Sequence, residues 1–226
     1  MRGVVPPSEF IALAETSGDI GGITRLVLRE ALEQCRQWQE QRLVLDVAVN
    51  VSARDVTDPD FTATVIAALE DAHLTPDRLI LELTESCALS NKEVAIGVLG
   101  SLRDLGVRIA VDDFGTGYSS PQVLEDLPLD ELKIDGSFLR ADAIHRGRSM
   151  VPWLVSLGHE FGLTVVAEGV ETGFALQLAD DAGCDQVQGY HLSKPLPAQQ
   201  LQAWLAERKK RPLSRRGPGL ARTGTA

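Results

Sequence analysis

The chain has 226 residues, of which 44% are hydrophobic and 24% charged, and its formal net charge is −10. That length builds one sizeable core, and the mixed composition excludes a disordered, collagenous or disulfide-scaffold protein. No apolar run reaches the roughly 20 residues that span a bilayer, and the opening MRGVVPPSEF lacks a signal-peptide core, so a cytoplasmic protein is expected.

In chain order, the spacing of Ile23, Leu26, Val27, Ala31, Cys35 and Trp38 predicts an amphipathic helix over 23–38. Leu43 to Val51 (LVLDVAVNV) is almost continuously apolar and β-branched, as in a parallel strand covered on both faces. A helix from Phe61 to Ala72 follows. The alternation then repeats: LILELTE from Leu79 with a helix over Lys92 to Leu105, and VRIAVDD from Val107 with a short helix at Pro121 to Asp126. After DELKID from Asp130 comes a helix over Ser149 to Phe161. LTVVAE from Leu163 precedes a helix over Gly173 to Ala182, and CDQVQG from Cys184 precedes one over Ala198 to Glu207. Residues 208–226 carry seven Lys or Arg and no acid, which leaves 15 basic and 32 acidic residues and a net of −17 on 1–207. A barrel-forming domain over 1–207 and a basic, disordered tail over 208–226 are expected. Cys35, Cys87 and Cys184 have no C-x-x-C spacing and read as ordinary buried thiols.

Six strand-then-helix units without a linker predict one α/β domain, either doubly wound or a (β/α)-barrel. The polar residues favour the barrel. Asn50, Glu82, the pair Asp112 and Asp113, Lys133, Glu168 and Gln188 each close a strand at its C-terminal end, and a barrel brings all such ends around one mouth. A barrel needs eight strands and only six are found, so an incomplete barrel is expected. An all-oxygen donor set selects hard cations such as Mg²⁺, Mn²⁺ or Ca²⁺. Two such ions about 4 Å apart promote attack of water on a phosphodiester, and they would offset the negative body. Lys133, set among carboxylates, would stay charged and orient the water or neutralise the phosphate, which disfavours a Schiff-base role. Asp46 and Asp135 lack comparable support and read as structural. The DFG within Asp112 to Ser120 has no accompanying kinase motifs.

The segments NVS (Asn50 to Ser52), ELTES (Glu82 to Ser86), DDFGTGYSS (Asp112 to Ser120), LKID (Leu132 to Asp135), VVAEGVET (Val165 to Thr172) and QGY (Gln188 to Tyr190) are collinear. Together they resemble the EAL-domain family of cyclic di-GMP phosphodiesterases in bacterial second-messenger signalling. The resemblance runs from Pro6 to about Leu205 and implies a (β/α)-barrel that uses two Mg²⁺ or Mn²⁺ ions to hydrolyse cyclic di-GMP to pGpG. It implies that Asn50, Glu82 and Asp112 ligate the first metal and that Asp112, Asp113 and Glu168 surround the second. Lys133 would contact the nucleophilic water, with Glu168 as general base. Gln188 would lie at the metal-and-substrate site, and Glu85 would steady the loop Asp113 to Ser120, where Gly115 and Gly117 permit unusual backbone angles. Family-level partners are a second copy in a homodimer and upstream sensor or GGDEF domains; nucleic acid is not expected.

The family's second strand, which carries a Glu-Ala-Leu segment whose glutamate ligates metal, has no counterpart among the six strands read from the chain. The expectation from sequence is therefore an N-terminally truncated domain lacking the first two strands, with an incomplete metal site, impaired turnover and open sheet edges at Leu43 to Val51 and at the last strand. The alternative reading is a non-catalytic EAL-like module that binds cyclic di-GMP or partner proteins.

Overall fold

The computed structural model describes residues 5–89, 91–116, 121–141 and 149–210. One compact unit ends at Lys194 and a second begins at Pro195. In the first unit, α1 (Pro7–Ser17) starts on a proline and stops at Gly18, whose left-handed φ of 90° lets its N–H reach Ala14 O. Next come α2 (Ile20–Glu40), β1 (Val47–Asn50), α3 (Ala53–Val56), α4 (Phe61–Asp71), β2 (Leu79–Thr84), α5 (Glu85–Leu89), α6 (Lys92–Asp104) and β3 (Arg108–Phe114). The unit closes with α7 (Pro121–Asp126), β4 (Glu131–Ile134), α8 (Val151–Glu160), β5 (Thr164–Ala167), α9 (Gly173–Ala182) and β6 (Gln186–Val187). The second unit contains α10 (Ala198–Lys210), in which the Arg208 guanidinium lies 4.9 Å from the Trp204 ring centroid. This helix runs three residues into the stretch read as tail; 211–226 lie outside the described residues.

The six strands form one parallel sheet in the order β1 to β6, and among the described residues β1 and β6 each pair on one side only. This is an incomplete (β/α)-barrel, as expected. Strand alternation divides the side chains. Leu79, Leu81 and Leu83 of β2, Ile109 and Val111 of β3, Leu132 and Ile134 of β4, and Val165 of β5 sit in the main core with Leu99, Leu102, Leu154 and Ala179 of the helices. The alternate residues, Glu82, Asp112 and Lys133 among them, fall on the opposite face of the sheet.

Three expectations are corrected. The long strand from Leu43 shrinks to Val47–Asn50, with Val44 59% exposed, because an edge strand lacks the second neighbour that would cover it. The last strand shrinks to two residues. The buried face of α2 is Ile20, Thr24, Leu28, Leu32 and Cys35, while Leu26 and Val27 are exposed. The stripe was misplaced because it contains a threonine, which a hydropathy pattern leaves out. Of the thiols, Cys35 is buried and Cys87 and Cys184 are half-buried.

Candidate active site

At the C-terminal ends of the strands, register sets the neighbours. Asn50 stands opposite Glu82, and Thr84 opposite Asp112. The Glu168 N–H donates to Ile134 O (3.0 Å) just past the end of β5. One strand further on, the Gln188 N–H donates to Ala167 O (2.8 Å), and the Gln188 carbonyl accepts from Val170 N (3.0 Å). The glycine of QGY is obligatory here, since a Cβ on Gly189 would lie 2.3 Å from the Val170 backbone.

Lys133 is the centre of the cluster. Its Nζ lies 2.6 Å from Glu168 Oε1, 2.7 Å from Glu82 Oε1 and 3.5 Å from Asp112 Oδ1, with its side chain 5% exposed. Burial alone would push an ammonium toward neutrality; the hydrogen bonds to Glu168 and Glu82 and the charges of Glu82 and Asp112 outweigh it and hold Lys133 above its ordinary value. The lysine is therefore a fixed cation, as read from sequence. Burial pushes the Glu168 carboxyl up to about 7, against the Lys133 hydrogen bond and with help from the Asp112 charge.

Successive side chains of a regular strand point to opposite faces, so Asp112 and Asp113 should diverge. They do not, because β3 carries a register shift against β4 between Val111 and Phe114, and Asp113 has a positive φ of 55°. The Asp113 N–H donates to Asp112 Oδ1 (2.9 Å), and Thr116 closes the turn onto Asp113 O through both its N–H (3.3 Å) and its hydroxyl (2.9 Å). Gly115, at φ 100°, lies against Phe138, whose ring a Cβ would meet at 2.8 Å. As a result Asp112, Asp113 and Glu168 each offer an oxygen within 4.8 Å of the others. Burial, Asp112 and Asp135 together push the Asp113 carboxyl upward.

Among the sequence-predicted site residues, then, Glu82, Asp112, Asp113, Lys133 and Glu168 come together, and register sets Asn50 and Gln188 on their flanks. Glu85 opens α5 and is buried, 9% exposed. Gly117 to Ser120 of the loop it was expected to steady lie outside the described residues. Asp46, read as structural, pairs with Arg78 (2.7 Å) and Arg108 (2.5 Å); Asp135, read likewise, accepts from Ser137 N (3.0 Å), and its charge also reaches Asp113 at the cluster. Sequence reading missed Glu131, buried two residues before Lys133 and paired with Arg108 at 3.1 Å. The signal was the spacing of charges at alternate positions, Arg108 with Asp112 and Glu131 with Lys133. A close set of carboxylates without histidine or cysteine fits a hard divalent cation.

The EAL domain family model matches residues 1–195. The chain is 38% identical over 204 residues to "Cyclic di-GMP phosphodiesterase PA2567" of Pseudomonas aeruginosa, covering 90% of this chain and 35% of that protein. It is 35% identical over 213 residues to "Cyclic di-GMP phosphodiesterase PdeR" of Escherichia coli, covering 93% and 32%. The solved structure "PaMucR Phosphodiesterase, c-di-GMP complex" superposes with a TM-score of 0.82 at 39% identity, over 89% of this chain and 82% of that one. The chain spans about a quarter to a third of the length of the curated relatives it matches.

Proposed function

The chain belongs to the EAL domain family, and on that premise we propose that it is a cyclic di-GMP phosphodiesterase domain producing linear pGpG. The observation that carries this reading is the buried Lys133 held among Glu82, Asp112 and Glu168, with Asp113 alongside. A binding module has no use for so costly a cluster of like charges around one cation.

In this reading Asn50, Glu82, Asp112, Asp113 and Glu168 would hold two Mg²⁺ or Mn²⁺ ions. When bound, such ions lower the pKa of water and neutralise charge on a phosphodiester. Lys133 donates to the attacking water and keeps it aimed at phosphorus, since its ammonium is buried and cannot swing away. Glu168, hydrogen-bonded to Lys133, takes the proton that this water loses. Gln188 touches the substrate at the rim, and Glu85 steadies the loop 113–120. A cytoplasmic location, a homodimer and sensor or GGDEF domains in the same polypeptide belong to the same reading. No helix among the described residues is long and apolar enough to cross a membrane.

The test is incubation of the purified protein with cyclic di-GMP and Mn²⁺, with pGpG measured by chromatography. Impaired conversion is expected, since none of the six strands among the described residues supplies the Glu-Ala-Leu glutamate, and Glu168→Gln and Lys133→Met should each reduce it at least 100-fold further. Cyclic di-GMP binding without conversion would instead establish the binding module.

A further inference from the structure

Asn50, a proposed metal ligand, sits at the end of an edge strand, where β2 holds it on one side only. Five residues further on lies a buried carboxylate, Asp55. Ser52 caps α3, a helix of only four residues, in a reciprocal box: Asp55 N donates to Ser52 Oγ (3.3 Å), and Asp55 Oδ2 accepts from Ser52 N (2.8 Å) and Ser52 Oγ (2.6 Å). A third donor reaches the same oxygen from α2, the Thr24 hydroxyl at 2.8 Å. Thr24 has one hydroxyl proton and a second acceptor, Ile20 O, at 3.2 Å. The shorter contact is to the charged oxygen and prevails.

Asp55 and Thr24 are each 4% exposed, and among the described residues Asp55 has no ion pair. A buried carboxylate without a cation is costly unless its donors are held in place, so the three hydrogen bonds fix three pieces of chain to one point. The neighbouring contacts agree. A Cβ on Gly21 of α2 would stand 3.5 Å from Asp55 Oδ1, and one on Gly18 would stand 2.9 Å from Arg54 Nη1, so this turn and the helical arm meet at small residues. A one-turn helix cannot hold its own position.

We propose that Asp55 and Thr24 are positioning residues: they clamp the turn after Asn50 onto α2 and so set where Asn50 stands relative to Glu82. The inference rests on the reading of Asn50 as a metal ligand, and it makes the placement of α2 an input to metal affinity. Thr24→Val removes the tie to α2 and leaves the Ser52–Asp55 box intact; Thr24→Ser keeps the hydroxyl. Mn²⁺ affinity is measured by calorimetry on the substrate-free protein, alongside the side-chain amide resonance of Asn50 and the melting temperature in EDTA. Thr24→Val should weaken Mn²⁺ binding about 5- to 20-fold and move the Asn50 resonance, with Thr24→Ser within about twofold of wild type. If Thr24→Val gives no soluble protein, Asp55→Asn serves the same comparison with a smaller loss in the same direction. A lowered melting temperature with unchanged Mn²⁺ affinity and an unmoved Asn50 resonance would overturn the inference and leave the hydrolase reading untouched. The expected affinity loss in a protein that converts no cyclic di-GMP would overturn only the hydrolase reading.

Discussion

Two aspartates adjacent in sequence serve one mouth only because the backbone between them is bent out of strand geometry. Asp113 bears that conformation at φ 55°, a region where asparagine is at least as comfortable as aspartate. Its carboxyl is raised by burial and by Asp112 and Asp135. A raised acid is disfavoured when ionised in the fold, so its contribution to stability falls as pH rises from the unfolded value, 3.8, toward the folded one. Asp113→Asn keeps the bend and removes the penalty. In EDTA at neutral pH this variant should melt slightly higher than wild type. Because Asp113 is exposed, screening limits the gain to about 0.5 kcal/mol, or about 1–2 °C, and it should vanish below about pH 4. Conversion of cyclic di-GMP should meanwhile fall at least 100-fold. A lower melting temperature in EDTA would mean that the ionised carboxylate supports the bend rather than straining the site.

At the scale of elements, the short strands are held by acids that precede them. Asp130, just before β4, accepts from Ile109 N (3.0 Å) and pairs with Arg103 (2.9 Å); Asp185, just before β6, accepts from Val165 N (2.8 Å) and meets His159 Nε2 at 2.9 Å. The Asp185 carboxyl is held below its ordinary value, first by the Val165 N–H and then by His159, against burial, which raises it. A depressed acid contributes stability that is present above its unfolded value of 3.8 and lost as pH falls through the folded one. Asp185→Ala should therefore cost about 1 kcal/mol in urea unfolding at pH 7, a modest figure because the side chain is 44% exposed. That cost should hold down to about pH 5 and shrink below pH 4; a cost independent of pH would assign the effect to packing alone. Such staples explain why the six-strand pattern was legible and its edges were not. Buried parallel strands read as apolar runs, but the paired length of β1 and β6 depends on neighbours that a run of residues does not reveal. The helix α1 escaped notice because Phe10, Ile11 and Leu13 are exposed and, among its described side chains, only Ala14 is buried, so no stripe marks it. The site was largely legible because polar residues at strand ends are conspicuous; the bend at Asp113 and the pairing of Glu131 were not, since they arise from register between strands.

Across the whole molecule, 32 acids against 22 Lys and Arg leave a net charge of −10, and the closest acids converge on the mouth with Lys133 as their only ion-pair partner among the described residues. General self-repulsion is relieved by any salt, whereas a site for hard cations is relieved by divalent ions at low concentration. The two can be separated by melting the protein in Mn²⁺ and in NaCl of equal ionic strength. An ion that binds only the folded state stabilises it by about 2.7 kcal/mol at a hundredfold excess over its Kd, which for a chain of this length corresponds to a rise of about 5–10 °C. We expect that rise in Mn²⁺ and Mg²⁺, a rise of no more than about 2 °C in NaCl, and loss of the divalent increment in Glu168→Gln. Equal shifts in NaCl and Mn²⁺, with Glu168→Gln behaving as wild type, would make the acidic mouth a matter of net charge and remove the metal site from the mechanism.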